Sequence, residues 1–554
     1  MQQNVVDGGP RELAFGGGLE GASQTSRELV RWQPIVISPD QQIFRDKQMA
    51  DLRGRDQMQN DGYTQGAMQQ QRDSIVGAQF RLNATPAWEA LGATEAWAEE
   101  FQIAVETEFN LLSDSRENWF DAARQLTLTG LTRLAVCSYF SSGESTSTVE
   151  WIRQAGRPFS TAIQMVSPWR MSNPDGGMDT ETLRSGKVID QWGAPVGYWF
   201  RNSYPTDPYG TDAYKWKYVP ARTPWGRLQV IHIYEPMQVG QNRGIADIVA
   251  VLKQGRMTSK FSDVTLQNAV VNATYAAAIE SELPSEMVFQ SMGAGQGGLN
   301  DFIGQYLDGL TKFLSGSTNI AIDGVKMPHL YPGTKLSMKP VGTPGGVGTE
   351  FEASLHRHIA AGLGISYEEY TNDYTKTNYS SFKGAAAKTN RSLAAKKKII
   401  ADGFANDVYA LWMEEKVNAT LAGSTTGVKL PLPPGWKVSD FYDPVKRAAL
   451  LSCNWIGASQ GQVDEMKETQ AAILRIDAGL STYEIECARL GDDFRKIFKQ
   501  RSREQKMMKD LGLEFDTTAT KSSTLNGPDD TGTSESPAPA PAPKAPAKKK
   551  AVKA

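Results

Sequence analysis

The residues most suggestive of chemistry are three glycines. Gly293, Gly295 and Gly298 form a GxGxxG in GAGQGG, after the strand-like MVFQSM and before a helical stretch, and the strand-like NIAID ends in Asp323 further on. Strand, glycine turn, helix and acidic residue in that order are the layout of a dinucleotide-binding unit, where glycines admit a pyrophosphate and the acid holds a ribose. That fold needs several further βα repeats, and the neighbouring sequence offers very long helical patterns instead. A flexible Gly-rich turn is the competing reading. No GxxxxGK[ST] occurs in the chain, which argues against a nucleotide hydrolase of the P-loop class.

Other candidate groups do not converge. His356 and His358 lie two apart in a helical pattern, about 200° around the axis, and cannot face one metal. His232, in the alternating VIHIYEP, has no Cys, His or paired carboxylate near it in sequence. Glu99-Glu100, Glu368-Glu369, Glu414-Glu415 and Asp492-Asp493 are adjacent residues whose side chains point apart, so none is a ready acid/base pair. Cys137, Cys453 and Cys487 are far apart and form no CxxC, which encodes neither a disulfide framework nor a zinc site. Neither a cofactor nor a metal is expected.

The stretch 364–422 carries the strongest local contrast. Glu368, Glu369 and Asp373 sit among Tyr367, Tyr370 and Tyr374, and then seven basic residues fall between Lys376 and Lys398 with no acid among them. Such an acidic, aromatic loop repels phosphate, which suits contact that is weak or steric. The basic segment, with Lys383, Lys388 and Arg391 spaced by small residues, is a possible nucleic-acid or subunit face. Its three consecutive lysines 396–398 spread around a helix rather than forming one stripe.

These groups must be positioned by long elements. Phe382, Ala386, Leu393, Ile399, Ile400, Phe404, Val408, Leu411 and Trp412 recur at three and four residues, with Ser380 or Ser381 as N-cap. A helix over 381–418 would run about 55 Å at about 1.5 Å per residue, with a bend or close contact expected at Gly384 or Gly403. A second long helical pattern runs from Ile245 through Ile279 and is closed by Pro284. Helical spacing also marks 93–111 and 119–139. The segment 163–234 alternates at shorter period, with a hairpin turning at Gly193. The Gly-rich stretch 285–348 reads as a helix over 299–314 and strands near Ile320 and Leu336. Short helices follow over 440–515, the last one highly charged.

Composition bounds the rest. The 554 residues are long enough for three or four domains, and 40% apolar with 22% charged residues is the balance of a soluble globular chain. No apolar run approaches the roughly 18 residues of a membrane span, and the first residues, MQQNVVDGGP, lack the basic and apolar regions of a secretory signal, so an intracellular chain is expected. Net charge is -3, from 59 basic and 62 acidic residues, which argues against a simple high-affinity nucleic-acid binder. Residues 1–50 read as a partly ordered arm and 516–554, ending in PAPAPAPKAPAKKKAVKA, as a disordered basic tail.

Five segments in order, QNDGYTQGAMQQQRDSIVG, VIDQWGAPVGYW, VIHIYEPMQVGQNRGIADI, GLGISYEEYTNDYTKTNYSSFKGAAA and ILRIDAGLSTYEIECARLGDDF, resemble the lambda-type bacteriophage portal proteins. The resemblance covers most of 50–515. It implies an α+β portal fold, with a mixed wing over 51–242, a stem helix over 243–284, a small clip over 285–348, a second stem helix over 349–365, a tunnel loop over 366–379, a long wing helix with linker over 380–439 and a helical crown over 440–515. It implies a homo-oligomeric ring, usually of twelve subunits, at a capsid vertex of the virion, assembled in the host cytoplasm. Through that ring a separate terminase drives double-stranded DNA, and to it head–tail connector proteins and the major capsid protein attach. No catalysis and no membrane are implied. By the same resemblance the tunnel-loop residues Glu368, Glu369, Tyr370, Asn372, Asp373, Tyr374, Thr375, Lys376 and Thr377 line the DNA channel. Lys383, Lys388 and Arg391 contact DNA or a neighbouring subunit, and Gly295, Asp301 and Asp323 belong to the clip's partner surface. The GxGxxG and the Pro/Ala/Lys tail depart from the family pattern. A dinucleotide-binding enzyme and a monomeric DNA-binding protein are the alternatives.

Overall fold

The computed structural model describes residues 19–513 except 25, 208–211, 425–426, 460, 462–463 and most of 276–346, where it describes 304, 307–308, 311, 320–322 and 325–327. Residues 1–492 form one compact unit and 493–554 a second.

Two helices open the first unit. Ser38 caps α1 (Pro39–Asn60) by accepting from the Gln41 N–H, with Pro39 in the first turn. Asp61 caps α2 (Gly62–Ile75) by accepting from Thr64. Asp40, Ile43, Lys47 and Asp51 are buried, so the arm expected over 1–50 gives way to packed helix at Pro39. The strand β1 (Arg81–Ala84) and helix α3 (Glu95–Ser113) follow. The helical spacing read over 119–139 starts late. Asp121 accepts from Ala123, Gln125 and Leu126 and folds that stretch into a turn, and α4 (Leu128–Ser142) begins behind its Thr127 cap.

The expected β-rich unit is two antiparallel sheets. One has the order β3-β2-β8, from β2 (Glu144–Trp151), β3 (Thr161–Val166) and β8 (Val230–Tyr234). The other is a meander of β4 (Leu183–Arg184), β5 (Lys187–Ile189), β6 (Pro195–Arg201) and β7 (Trp216–Pro220). Gly193, at φ +86°, makes the β5–β6 turn, as its position predicted.

The long helix expected over 243–281 is shorter at its start. A 3₁₀ turn (Asp247–Val251) leads into α5 (Leu252–Tyr275), because Arg243 is drawn into a buried ion cluster and holds its segment out of helix. The strands β9 (Ile320–Ile322) and β10 (Val325–Met327) pair antiparallel. The helix α6 (Val347–Leu363) runs against α5, with Phe261 and Phe351 edge to face at 5.9 Å. After α7 (Tyr367–Thr371) comes the longest helical path in the described residues. It consists of α8 (Tyr379–Lys396), a π-helical turn (Lys397–Ala401) and α9 (Asp402–Leu421). Asn378 caps it rather than Ser380 or Ser381, and the departure from α geometry falls at 397–401, just before Gly403.

Helix α9 is the centre of the main core. Phe404, Val408, Tyr409, Trp412 and Val417 are fully buried, and Phe109 of α3 meets Tyr409 and Trp412 edge to face at 5.5 and 5.2 Å. A buried helix still carries charges here. Lys416 donates to Glu108 at 2.6 Å, and Glu414 receives Arg227 at 3.0 Å. The helices α10 (Val438–Phe441) and α11 (Pro444–Leu450) add Phe441 and Leu450 to this core, and β11 (Cys453–Ile456) pairs antiparallel with β1. The region 440–515 is therefore not purely helical, since its first part completes the main core through a strand. The helices α12 (Glu465–Asp477) and α13 (Tyr483–Arg489) are tied by Arg475 donating twice to Glu486, at 3.0 and 2.8 Å. In the second unit α14 (Phe494–Asp510), capped by Asp493, buries no side chain.

Candidate functional site

The corner between α6 and α8 is built almost wholly from local hydrogen bonds. Helix α6 ends because Gly364, at φ +74°, turns left-handed and lets the Ile365 N–H return to the Ala360 carbonyl at 3.1 Å. Ser366 then forms a capping box with Glu369, which starts α7. Asn372, at φ +53°, ends it. Asp373 folds the tip by accepting from the Thr375 N–H at 3.0 Å and hydroxyl at 2.6 Å, and Thr377 donates to Glu368 at 3.3 Å. Asn378 caps α8, and Thr389 on α8 donates to Glu369 at 2.6 Å, which ties the small helix to the long one.

This arrangement revises the expected open acidic loop, since its first third is helix and its acids are occupied. Glu369 accepts from Ser366 and Thr389, and Glu368 from Thr377. Hydrogen bonds from Thr375 hold the Asp373 carboxyl below its usual range. Tyr370, expected to offer its hydroxyl to the channel, is buried at 3% exposure against Tyr63 and His356, both 5.6 Å away ring to ring. Burial pushes the pKa of its phenol up, so it stays neutral. What remains exposed is Asn372, Tyr374, Thr375 and Lys376. Tyr374 stands edge-on to Phe382 at 5.4 Å, and partial burial with the Glu369 and Glu368 charges keeps its hydroxyl protonated. The tip is thus polar with little net charge.

On α8 the basic residues sort by partner. Lys396 pairs with Asp247 at 2.8 Å, and Lys397 with Asp402 and the Trp455 carbonyl, both at 2.9 Å. Lys383, Lys388 and Arg391 are exposed. At about 100° per residue they span an arc of about 140°. Two of the three lysines that spoiled a stripe in the sequence are thus held in intramolecular pairs, while Lys398 stays exposed, 3.7 Å from Asp402.

Reading the sequence missed a buried ion cluster. Glu144, with no exposed surface, opens β2 and receives Arg243 through Nε and Nη2 at 3.0 and 2.5 Å, the Gly244 N–H at 3.0 Å and His232 at 3.0 Å, with Lys47 at 3.2 Å. Lys47 also donates to the Ser142 and Gly244 carbonyls, and Arg243 to those of Met171, Ser185 and Pro168. The residue types explain the close approach. A Cβ on Gly143 would fall on the Ile245 backbone, and one on Gly244 would fall on the Gly143 carbonyl. Burial disfavours the Glu144 carboxylate, but the Arg243 and Lys47 charges and the His232 and Arg243 hydrogen bonds outweigh it and hold it well below the usual range. Burial pushes His232 down to about 4 and, against the Lys47 charge, Asp51 up to about 6. A neutral His232 facing a carboxylate carries its proton on Nε2. His232, expected to lack a carboxylate neighbour, therefore has one from β2. The traces in sequence were an acid opening a strand of small hydroxylated residues, ESTST, and an Arg-Gly before an apolar run.

Gly295, Asp301 and Asp323, with the whole GAGQGG and the strand expected near Leu336, lie outside the described residues. The neighbouring β9 and β10 pair antiparallel, unlike the parallel strands of a dinucleotide-binding unit. Among the described residues no group of three or more His, Cys, Asp or Glu could hold a metal ion, and no helix is long and apolar enough to cross a membrane.

Residues 25–396, ending with α8, match the family described as phage portal protein, lambda family. The chain is 34% identical over 501 residues to the portal protein of Escherichia phage N15, covering 90% of each. It is 32% identical over 496 residues to portal protein B of Escherichia phage lambda, covering 89% of this chain and 90% of that one. Among solved structures it is similar to a chain in the neck of an empty gene transfer agent particle, at 12% identity and a TM-score of 0.39 over 85% of this chain and 99% of that one. With a family match over most of its length and relatives 34% and 32% identical over 90% and 89% of it, this chain belongs to the lambda family of phage portal proteins.

Proposed function

We propose that copies of this chain close head to tail into a ring at one capsid vertex, and that double-stranded DNA enters and leaves along the ring axis. A single duplex passing through a protein needs a rotational axis with a hole, which a two-fold dimer lacks. The chain itself performs no catalysis in this reading. A separate terminase drives the DNA, and connector and capsid proteins dock on the outer surfaces.

The parts are those that the family resemblance implies, laid on these elements. The pair α5 and α6 is the stem, 285–348 the clip, 51–242 with α8 and α9 the wing, and 440–515 the crown. Residues 516–554 are a dispensable tail. The loop between α7 and α8 lines the narrowest part of the channel, with Asn372, Tyr374, Thr375 and Lys376 facing DNA and Glu368, Glu369, Asp373 and Thr377 holding its shape. Lys383, Lys388 and Arg391 are left for DNA or a neighbouring subunit.

The observation that carries this reading is the braced, nearly neutral tip on the α7–α8 corner. A loop repeated around an axis multiplies any attraction, so even about 1 kcal/mol per copy would sum to a trap for the duplex. Neutral hydrogen-bonding groups touch phosphate briefly and release it, and the flanking carboxylates discourage a cationic grip.

Two measurements test it. Images of the purified protein should show rings with a central hole, and a chain that stays single at micromolar concentration would sink the proposal. Deleting 372–377 should leave the rings intact and reduce nuclease-protected DNA per assembled head. Normal packaging and retention in that deletion would remove the loop from the channel.

A further inference from the structure

Among the described residues, the segment just before α1 has little in its own chain to rest on. Every residue over 30–38 is exposed, including Trp32 at 71%, Ile35 at 83% and Val36 at 100%. Residues 33–37, QPIVI, belong to no helix or strand and are uncharged, and among the described residues their backbone makes no hydrogen bond. Yet the root of this segment is firmly held. Ser38 caps α1, and buried Asp40 accepts from the Asn242 backbone and side chain at 2.9 and 2.8 Å. A run of β-branched side chains fully in water on a fixed root is an unfilled interface rather than an ordinary surface.

The same chain carries a second unfilled feature of matching kind. In the four-stranded meander β7 pairs only with β6 among the described residues. The Asn202 N–H bonds the Lys215 carbonyl and the Ala221 N–H the Val196 carbonyl, so Lys217 and Val219 also face β6. Trp216 and Tyr218 therefore turn their N–H and C=O groups to the outside. Their rings join Trp199 on the outer face of the sheet, where Tyr218 lies over Gly197 and 5.2 Å from the Trp199 ring. An open edge beside an aromatic face is a template for an added strand.

We propose that 33–37 of one copy adds to the free edge of β7 in the neighbouring copy. The proposal rests on the ring reading above. Pro34 lacks an N–H and opens the added strand, which leaves Ile35, Val36 and Ile37 to make the bonds. Ile35 and Ile37 then share one face and Val36 the other. Placement within the sheet favours a neighbour over the chain itself. The arm's root lies beside β4, where Arg184 approaches Asp40 at 3.6 Å, whereas the open edge is on the far strand of the β4-β5-β6-β7 order, roughly 14 Å away at about 4.8 Å per strand. Donor at one edge and acceptor at the opposite edge is the polarity a head-to-tail closure requires, because the two patches of a heterologous contact are unlike. The donor segment is uncharged and would lie on Tyr218, Trp199 and the Arg201-stacked Trp216, so packing and backbone bonds rather than ion pairs would hold it.

The test uses the full chain carrying Ile35→Cys together with Tyr218→Cys under mild oxidation. The expected result is a ladder of disulfide-linked chains that increases by one chain per step and is absent from either single variant, which also controls for Cys137, Cys453 and Cys487. Linkage confined within single chains, or no linkage while rings persist, overturns the proposal. Separately, Ile35→Asp with Val36→Asp should raise the protein concentration at which rings fall apart at least tenfold with an unchanged circular dichroism spectrum, since these side chains pack on nothing in their own chain. Rings as resistant to dilution as wild type overturn it. A wild-type chain that never forms rings overturns the ring reading and this proposal with it, and that outcome is read before any variant is made.

Discussion

Glu144 and Glu369 are both carboxylates held by several donors, and they sit in opposite kinds of site. Glu144 has no exposed surface and receives groups from α1, β8 and the 243–244 turn, about a hundred residues away in either direction. Glu369 is half exposed and receives only Ser366 and Thr389, within twenty residues. In the first site charge joins distant segments and is compensated inside the protein. In the second it shapes a short corner and keeps a neutral tip projecting into solvent. Removing a partner from the first leaves an ion without water, whereas in the second water can replace the lost donor.

The comparison can be broken most severely at Arg243. Arg243→Met should cost about 3–5 kcal/mol of stability, the range for breaking a buried ion pair from one side, measured by urea unfolding. A loss as small as that of a surface substitution would mean that water reaches Glu144.

A second test uses pH. His232 has a folded pKa of about 4 against 6.5 unfolded, so the unfolded chain takes up the proton first, and this contribution is complete above pH 6.5 and lost as pH falls through 4. Asp51, at about 6 against 3.8, works in reverse, with stability complete below pH 3.8 and lost as pH rises through 6. The two offset each other over nearly the same window. Asp51→Asn should therefore uncover the His232 slope, a loss on the order of 3 kcal/mol between pH 7 and 4 relative to the wild-type profile. Parallel profiles for the two proteins would show that Asp51 does not titrate in this window, and an Asp51→Asn profile that stays flat between pH 7 and 4 would show that His232 is not buried neutral.

In the corner, Thr389→Val should cost about 1.5–2 kcal/mol, because it removes a donor to a charged acceptor, and should speed amide exchange in 367–371. Unchanged exchange there would mean that α7 is held by Tyr370 packing alone. At the tip, Thr375→Ala should change stability by no more than about 0.5 kcal/mol, and a larger loss would extend the buried kind of site to the loop.

Much of this was legible in the sequence, for reasons that differ by element. The long helix over 381–418, the β5–β6 hairpin and the placing of His356 and His358 on different sides of one helix followed from periodicity and from one glycine, which are local properties. The acids at 368–373 were found, but not what they bond, because their acceptor roles depend on Thr375, Thr377 and Thr389 folding back. The Glu144 cluster was missed because its members are spread over nearly two hundred residues, and its local signs, an acid opening ESTST, an Arg-Gly and two glycines that let two backbones touch, do not name one another as partners. Residues 119–127 were misread as helix for a related reason, since Asp121 draws three backbone N–H groups to itself.

The π-helical turn at 397–401 has a bearing on the loop some twenty residues away. A π turn holds one residue more than the α-helix would over the same winding, and one residue corresponds to about 100° of rotation. The half of the rod that is locked in the core, α9, and the half that carries the tip, α8, are therefore out of phase by one notch. That offset is one of sequence register and not of direction: excising a single residue at 397–401 would let one unbroken α-helix cover the same winding and leave the bearing of the tip as it is, whereas excising one from within α8 would swing the tip by about 100° around the rod.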